Sequence, residues 1–190
     1  MAHPAIKHKK YSYADYLQWD DDKRWEIING EAYDMSPAPN TKHQRILLKL
    51  SQKIYNYLQD KSCEIFVAPF DVRLSKQSDE DFEIFNVVQP DISVFCDKKK
   101  IDSKGAKGAP DWIIEILSPS TSKKDTTKKL VLYQNFQVKE YWIVDPEDET
   151  VSVFLLNKQN IFSKVTEYKK KEPIPVKIFT GFKIKGSEIF

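Results

Sequence analysis

Two carboxylates in this chain interrupt runs that are otherwise apolar. Glu115 stands in the middle of Trp112-Ile113-Ile114-Glu115-Ile116-Leu117, and Asp91 lies in the mostly apolar stretch from Val87 to Phe95. An ionised carboxylate removed from water costs several kcal/mol unless a cation, a proton or a set of donors compensates it. Two of them on adjacent strands repel each other as well, and a hard divalent ion answers both problems, because Mg²⁺ takes one or two carboxylates and fills its shell with water and substrate oxygens. The alternative is structural: Asp91 caps the turn after Pro90, and Glu115 pairs with a core lysine.

The elements that must position these residues are legible in outline. Ser12 with Asp15 three residues on has the pattern of a capping box opening a short helix through about Trp19. Asn29-Gly30 between two extended runs is a strong short-range hairpin signal. Ile46, Leu47, Leu50, Ile54, Tyr57 and Leu58 recur at helical spacing and predict an amphipathic helix over 43–58. Phe66, Ala68, Phe70, Val72 and Leu74 alternate as one face of a single strand, with Asp71 and Arg73 on the other. Val87 to Phe95 reads as a second strand carrying Asp91. The 112–117 run is apolar on both faces, the pattern of a central strand covered by helices, and a helix over 122–136 follows it. Tyr141 to Pro146 is a further buried strand, 151–156 and 161–168 a terminal hairpin, and 179–190 a last extended segment. The order predicts a single-domain α/β fold with a mixed β-sheet flanked by helices: an N-terminal helix and hairpin over 12–35, a core over 40–146 and C-terminal strands over 150–190.

Composition narrows the function classes. In 190 residues, 41% hydrophobic, 30 Lys+Arg oppose 28 Asp+Glu for a net charge of +2. That balance excludes coating of nucleic acid by bulk attraction, so any grip on phosphate must be local. The segment 98–129 is lysine-rich and 71–97 acidic, which fits either a cationic rim beside an acidic pocket or two solvated loops of opposite sign. Cys63 and Cys96 lack metal-ligand spacing and read as buried apolar fillers rather than a disulfide. With no apolar leader and no run long enough to span a bilayer, the expected location is cytoplasmic and reducing, with no membrane partner.

Taken together, several strings resemble the Uma family, described as putative restriction endonucleases, within the Pro-Asp…Asp/Glu-x-Lys nuclease superfamily. They are Glu26-Ile27-Ile28-Asn29-Gly30-Glu31, Met35-Ser36-Pro37 with His43 opening the helix, Gln89-Pro90-Asp91, and Ile114-Glu115-Ile116-Leu117-Ser118-Pro119-Ser120-Thr121. Asp125…Lys129…Tyr133, Glu140-Tyr141-Trp142-Ile143-Val144-Asp145-Pro146 and the closing Phe190 complete the likeness, which spans nearly the whole chain. One departure matters: two residues after Glu115 stands Leu117, not lysine. The resemblance implies that the lysine has moved to the following helix, where Asp125, Lys129 and Tyr133 stand four residues apart on one face. An exposed Asp-to-Lys pair beside a packed Tyr is the competing reading of that trio.

The resemblance further implies a restriction-endonuclease-like fold and metal-dependent hydrolysis of a nucleic-acid phosphodiester, with DNA as substrate. Asp91 and Glu115 would hold Mg²⁺ or Mn²⁺, and Lys129 would orient or deprotonate the attacking water. Glu31, His43, Asp125 and Tyr133 are second candidates: Glu31 as a third acid or the end of an edge hairpin, His43 as a helix-start packing residue. Tyr141 and Trp142 are expected in the core or at a dimer contact, and a homodimer is compatible with the superfamily. The rival class is a catalytically silent nucleic-acid-binding or interaction module on the same fold.

Overall fold

The computed structural model describes residues 9–35, 39–118, 123–163 and 165–190, and only the backbone of 123–126. In chain order the elements are α1 (Tyr13–Tyr16), β1 (Trp25–Ile28), β2 (Glu31–Asp34), α2 (Thr41–Leu58), β3 (Glu64–Val67), β4 (Val72–Arg73), β5 (Val87–Val88) and β6 (Ile92–Phe95). After these come β7 (Ile101–Asp102), β8 (Gly105–Lys107), β9 (Trp112–Ile116), α3 (Lys123–Asn135), β10 (Glu140–Asp145), β11 (Thr150–Leu155), β12 (Thr166–Lys169), β13 (Pro173–Pro175) and β14 (Lys183–Lys185).

Local chemistry accounts for the ends of these elements. Ser12 and Asp15 form the reciprocal capping box that starts α1. Asn29 and Gly30 both have positive φ, 53° and 84°, the combination a two-residue primed turn requires, so β1 and β2 pair directly with Ile28 opposite Glu31. The Asn40 side chain accepts from the His43 backbone and caps α2.

The strands form two six-stranded mixed sheets and a small β13-β14 pair. The first runs β2-β1-β5-β4-β8-β7 and the second β12-β11-β10-β9-β6-β3. β9 and β10 are parallel and joined through α3, the crossover such a pair needs. Helix α2 buries Ile46, Leu50, Ile54 and Leu58 against one face of the second sheet, on Ile92, Val94, Trp112, Ile114 and Trp142. Each such side chain contributes about 1.5–3 kcal/mol when fully buried. The opposite face, through Ile113 and Tyr141, packs with Leu132 and Tyr133 of α3 and with Ile28, Val72 and Val88 of the first sheet. Tyr141 and Trp142 are therefore core residues, fully buried.

Three sequence expectations are corrected. The single strand expected over 66–74 is two, β3 and β4, in different sheets; the strand expected over 87–95 is likewise β5 and β6. Each break falls at a proline, Pro69 or Pro90, which has no N–H for a ladder. One expected sheet thus becomes two, and Asp91 stands at a crossing between them rather than in mid-strand. Third, Cys63 and Cys96 are joined as a disulfide. The β3–β6 register sets Glu64 opposite Phe95, so the next pair outward is Cys63 and Cys96, a cross-strand relation that no sequence spacing displays. The cysteines consequently give no support to a reducing location.

Part of the charge asymmetry is taken up by local pairing. Lys104 pairs with Asp81 at 3.0 Å, Lys107 donates to the Asp79 carbonyl, and Lys98 pairs with Glu64 at 3.0 Å. No helix among the described residues is long and apolar enough to cross a membrane.

Candidate active site

Strand β9 carries Glu115 in the middle of the second sheet, on the same face as Ile113, under α3. Two residues of α3, one turn apart, reach its Oε1: Lys129 Nζ at 3.0 Å and the Tyr133 hydroxyl, which donates at 2.7 Å. The same ammonium donates to Glu26 Oε1 at 2.8 Å. Glu26 belongs to β1 of the other sheet, so one lysine ties the two sheets together through their buried acids. The three side chains are only 7 to 13% exposed.

Burial governs the protonation of this cluster. It pushes the Glu115 carboxyl up to about 7, with the Asp91 and Glu26 charges adding to the rise and Lys129 and Tyr133 opposing it. For Lys129 burial pulls the other way but is outweighed by Glu115 and Glu26, so the ammonium stays protonated well above its ordinary range. Burial first, and then the Glu115 charge, raise the Tyr133 phenol, which remains a donor at neutral pH.

Asp91 approaches from the side. Ile92 pairs with Ile114 across β6 and β9, and continuing that antiparallel register by one residue sets Asp91 opposite Glu115. Its Oδ2 accepts from the Ile116 backbone N–H at 2.8 Å and meets His43 Nε2 at 3.1 Å. With Asp91 as the carboxylate, this hydrogen bond requires the proton on His43 Nε2. His43 itself is 3% exposed, and its Nδ1 has no partner among the described residues.

The chain thus joins Asp91, Glu115, Lys129, Tyr133 and His43. Glu31 stands apart: it is exposed, accepts from Tyr33, and lies 3.8 Å from Lys128. The Asp125 side chain lies outside the described residues. Sequence reasoning overlooked Glu26 and the residue that holds it. The Gln89 backbone N–H donates to Glu26 Oε1 at 2.9 Å, while the Gln89 side chain is clamped by Arg24 on its oxygen and by Asp71 on its nitrogen. Glu26 carried the same signal as Glu115, an acid inside the apolar run Trp25-Glu26-Ile27-Ile28.

Among the described residues no group of three or more His, Cys, Asp and Glu side chains converges to hold a metal alone. The donor set nevertheless fits a hard ion that needs only one or two carboxylates. Asp91 and Glu115 each commit one oxygen, Oδ2 and Oε1, to protein donors, while among the described residues neither Oδ1 nor Oε2 has a protein donor.

Comparison with known proteins bears on this arrangement. The model of the Uma2 family, described as a putative restriction endonuclease, matches residues 13–185. The chain belongs to that family. An uncharacterized protein of Synechocystis sp., slr1290, is 29% identical over 161 residues, covering 83% of this chain and 80% of its own. The crystal structure of a putative nuclease belonging to DUF820, from Anabaena variabilis, superposes with a TM-score of 0.75 at 21% identity, covering 95% of this chain and 97% of that one. That likeness establishes the fold as one shared with a putative nuclease. Uma2 membership supports a nuclease function in general terms, and in this Uma2 chain the lysine facing the acids comes from α3, fourteen residues beyond Glu115.

Proposed function

We propose that the protein is a metal-dependent endonuclease that hydrolyses phosphodiester bonds of nucleic acid, DNA foremost, with Asp91 and Glu115 holding Mg²⁺ or Mn²⁺. The observation that carries this reading is the buried ammonium of Lys129 between Glu115 and Glu26, beside an Asp91 whose Oδ1 has no protein donor among the described residues. When bound, the ion would polarise the phosphoryl oxygens and supply a water of lowered pKa.

The chain's own groups do the rest. Lys129, held protonated by two carboxylates, is no proton acceptor; it orients the attacking water and offsets negative charge growing on the phosphoryl oxygens. Glu115 would hold the ion as the carboxylate; without the ion burial raises its carboxyl to about 7, so it gives up its proton near neutrality on metal binding. Tyr133 fixes the Glu115 rotamer, and His43 and the Ile116 N–H fix that of Asp91. Glu26 keeps Lys129 from folding wholly onto Glu115.

One observation favours a second reading, a nucleic-acid-binding module without turnover: Lys129 and Tyr133 already satisfy Glu115 as a structural network would. Nicking of supercoiled plasmid in Mg²⁺ or Mn²⁺ separates the two. Cleavage that Glu115→Gln abolishes supports the enzyme, whereas salt-dependent binding with no cleavage by the wild-type chain supports the module.

A further inference from the structure

Next to the candidate site lies a cleft of about 570 Å³ between the β1–β2 hairpin and the outer side of α3. Its volume is in the range of small-molecule sites. Both of its walls carry chain neighbours of the cluster residues. On β1, Ile28 follows Glu26 by two residues and shares its face, an advance of roughly 6.6 Å. On α3, Lys128 is the chain neighbour of Lys129, and Leu132 lies one turn further on.

The lining is unlike that of a phosphate site. The floor is apolar, built of Ile28 and Leu132, both nearly fully buried, with Val131 at its edge and 52% exposed. The lysine that lines it, Lys128, donates to the Tyr33 hydroxyl at 2.6 Å and lies 4.7 Å from the centre of that ring. The same hydroxyl donates to Glu31, whose carboxylate is 3.8 Å from Lys128. Among the described residues that line the cleft one cation thus meets one anion, while Asn29 and Asn135 supply amide groups.

An apolar floor, an aromatic side chain and neutral or charge-matched hydrogen-bonding groups at the rim suit a planar heteroaromatic ring whose faces are apolar and whose edges donate and accept. We infer that this cleft receives a nucleobase of the substrate strand, unstacked and adjacent to the phosphate at Asp91 and Glu115, so that the preferred substrate is single-stranded or locally opened nucleic acid. The inference rests on the nuclease reading above. A base that reaches the apolar floor between the hairpin and α3 has left the stack of a duplex.

The test uses the full chain in EDTA with single-stranded DNA oligonucleotides, each carrying one 2-aminopurine at a different position. Binding is expected to change the 2-aminopurine fluorescence several-fold at one position in the footprint, and an abasic site there is expected to weaken binding by about 10-fold. Val131→Trp, at an exposed residue where the fold tolerates bulk, fills the cleft and is expected to abolish both effects while leaving the circular dichroism spectrum unchanged. Binding with flat fluorescence at every position and no abasic penalty overturns the base pocket, as does an equal response in Val131→Trp. Either result leaves metal-dependent plasmid nicking, measured separately, to decide the nuclease reading; absence of both binding and nicking overturns the two together.

Discussion

Lys129 Nζ lies 3.0 Å from Glu115 Oε1, although the two residues come from different elements, one from a helix and the other from the strand before it. Removing one partner of such a buried pair leaves the other without compensation, which costs about 3–5 kcal/mol. Lys129→Met is expected to destabilise the fold by about 3 kcal/mol in urea denaturation at pH 8, and Lys129→Met with Glu115→Gln to recover much of that loss. If the single and double variants are equally unstable, the pair is not coupled as described.

The other partner of Lys129 is Glu26, at 2.8 Å. Glu26→Gln keeps an acceptor for the Gln89 N–H but removes the charge that draws the ammonium away from Glu115. Cleavage is expected to fall by about 10–100-fold with oligonucleotide affinity little changed, since positioning groups around a catalytic centre have effects of that size. Wild-type cleavage by Glu26→Gln would remove Glu26 from the site.

Stability should carry the signature of Glu115. Its carboxyl is raised from 4.5 to about 7 in the folded protein, so the folded state binds the proton more tightly than the unfolded chain. The contribution is then fully present below about pH 4.5 and is lost as pH rises towards 7, beyond which the curve is flat. Over that window the wild type is expected to lose about 2 kcal/mol relative to Glu115→Gln, the coupling to Lys129 holding the figure below the full shift. Parallel pH profiles for the two proteins would contradict the burial-driven shift.

His43 meets Asp91 at 3.1 Å from the first turn of α2. His43→Ala frees Asp91 Oδ2 to rotate away from Glu115, and Mn²⁺ affinity, read by isothermal titration calorimetry, is expected to drop about 10–100-fold. Asparagine at position 43 should recover little, because its shorter side chain does not span the gap. An unchanged affinity in His43→Ala would leave the histidine with a packing role alone.

The disulfide joins residues 33 apart in sequence, at the edge of the second sheet. By the loop-entropy relation its loss costs about 3–4 kcal/mol. Cys63→Ala with Cys96→Ala, or the wild type in dithiothreitol, should melt several degrees lower than the oxidised wild type, and coincident melting curves would show that the bridge contributes nothing.

Much of the local structure is determined by the sequence alone. The positive-φ pair Asn29-Gly30 dictates its turn, the Ser12/Asp15 box its helix start, and the 3.6-residue rhythm from Ile46 to Leu58 the buried face of α2, because each depends on neighbours in the chain. Family strings singled out Asp91 and Glu115 for the same reason, being short and contiguous, and Lys129 through its helical spacing from Asp125 and Tyr133. Only the tertiary structure decided that both apolar runs divide between sheets, at Pro69 and at Pro90, that Cys63 faces Cys96, and that Glu26 rather than Glu31 shares Lys129 with Glu115. Those relations join residues 33 to 103 positions apart or divide an apolar run between two sheets, and alternation of side chains carries no information about which strand lies alongside.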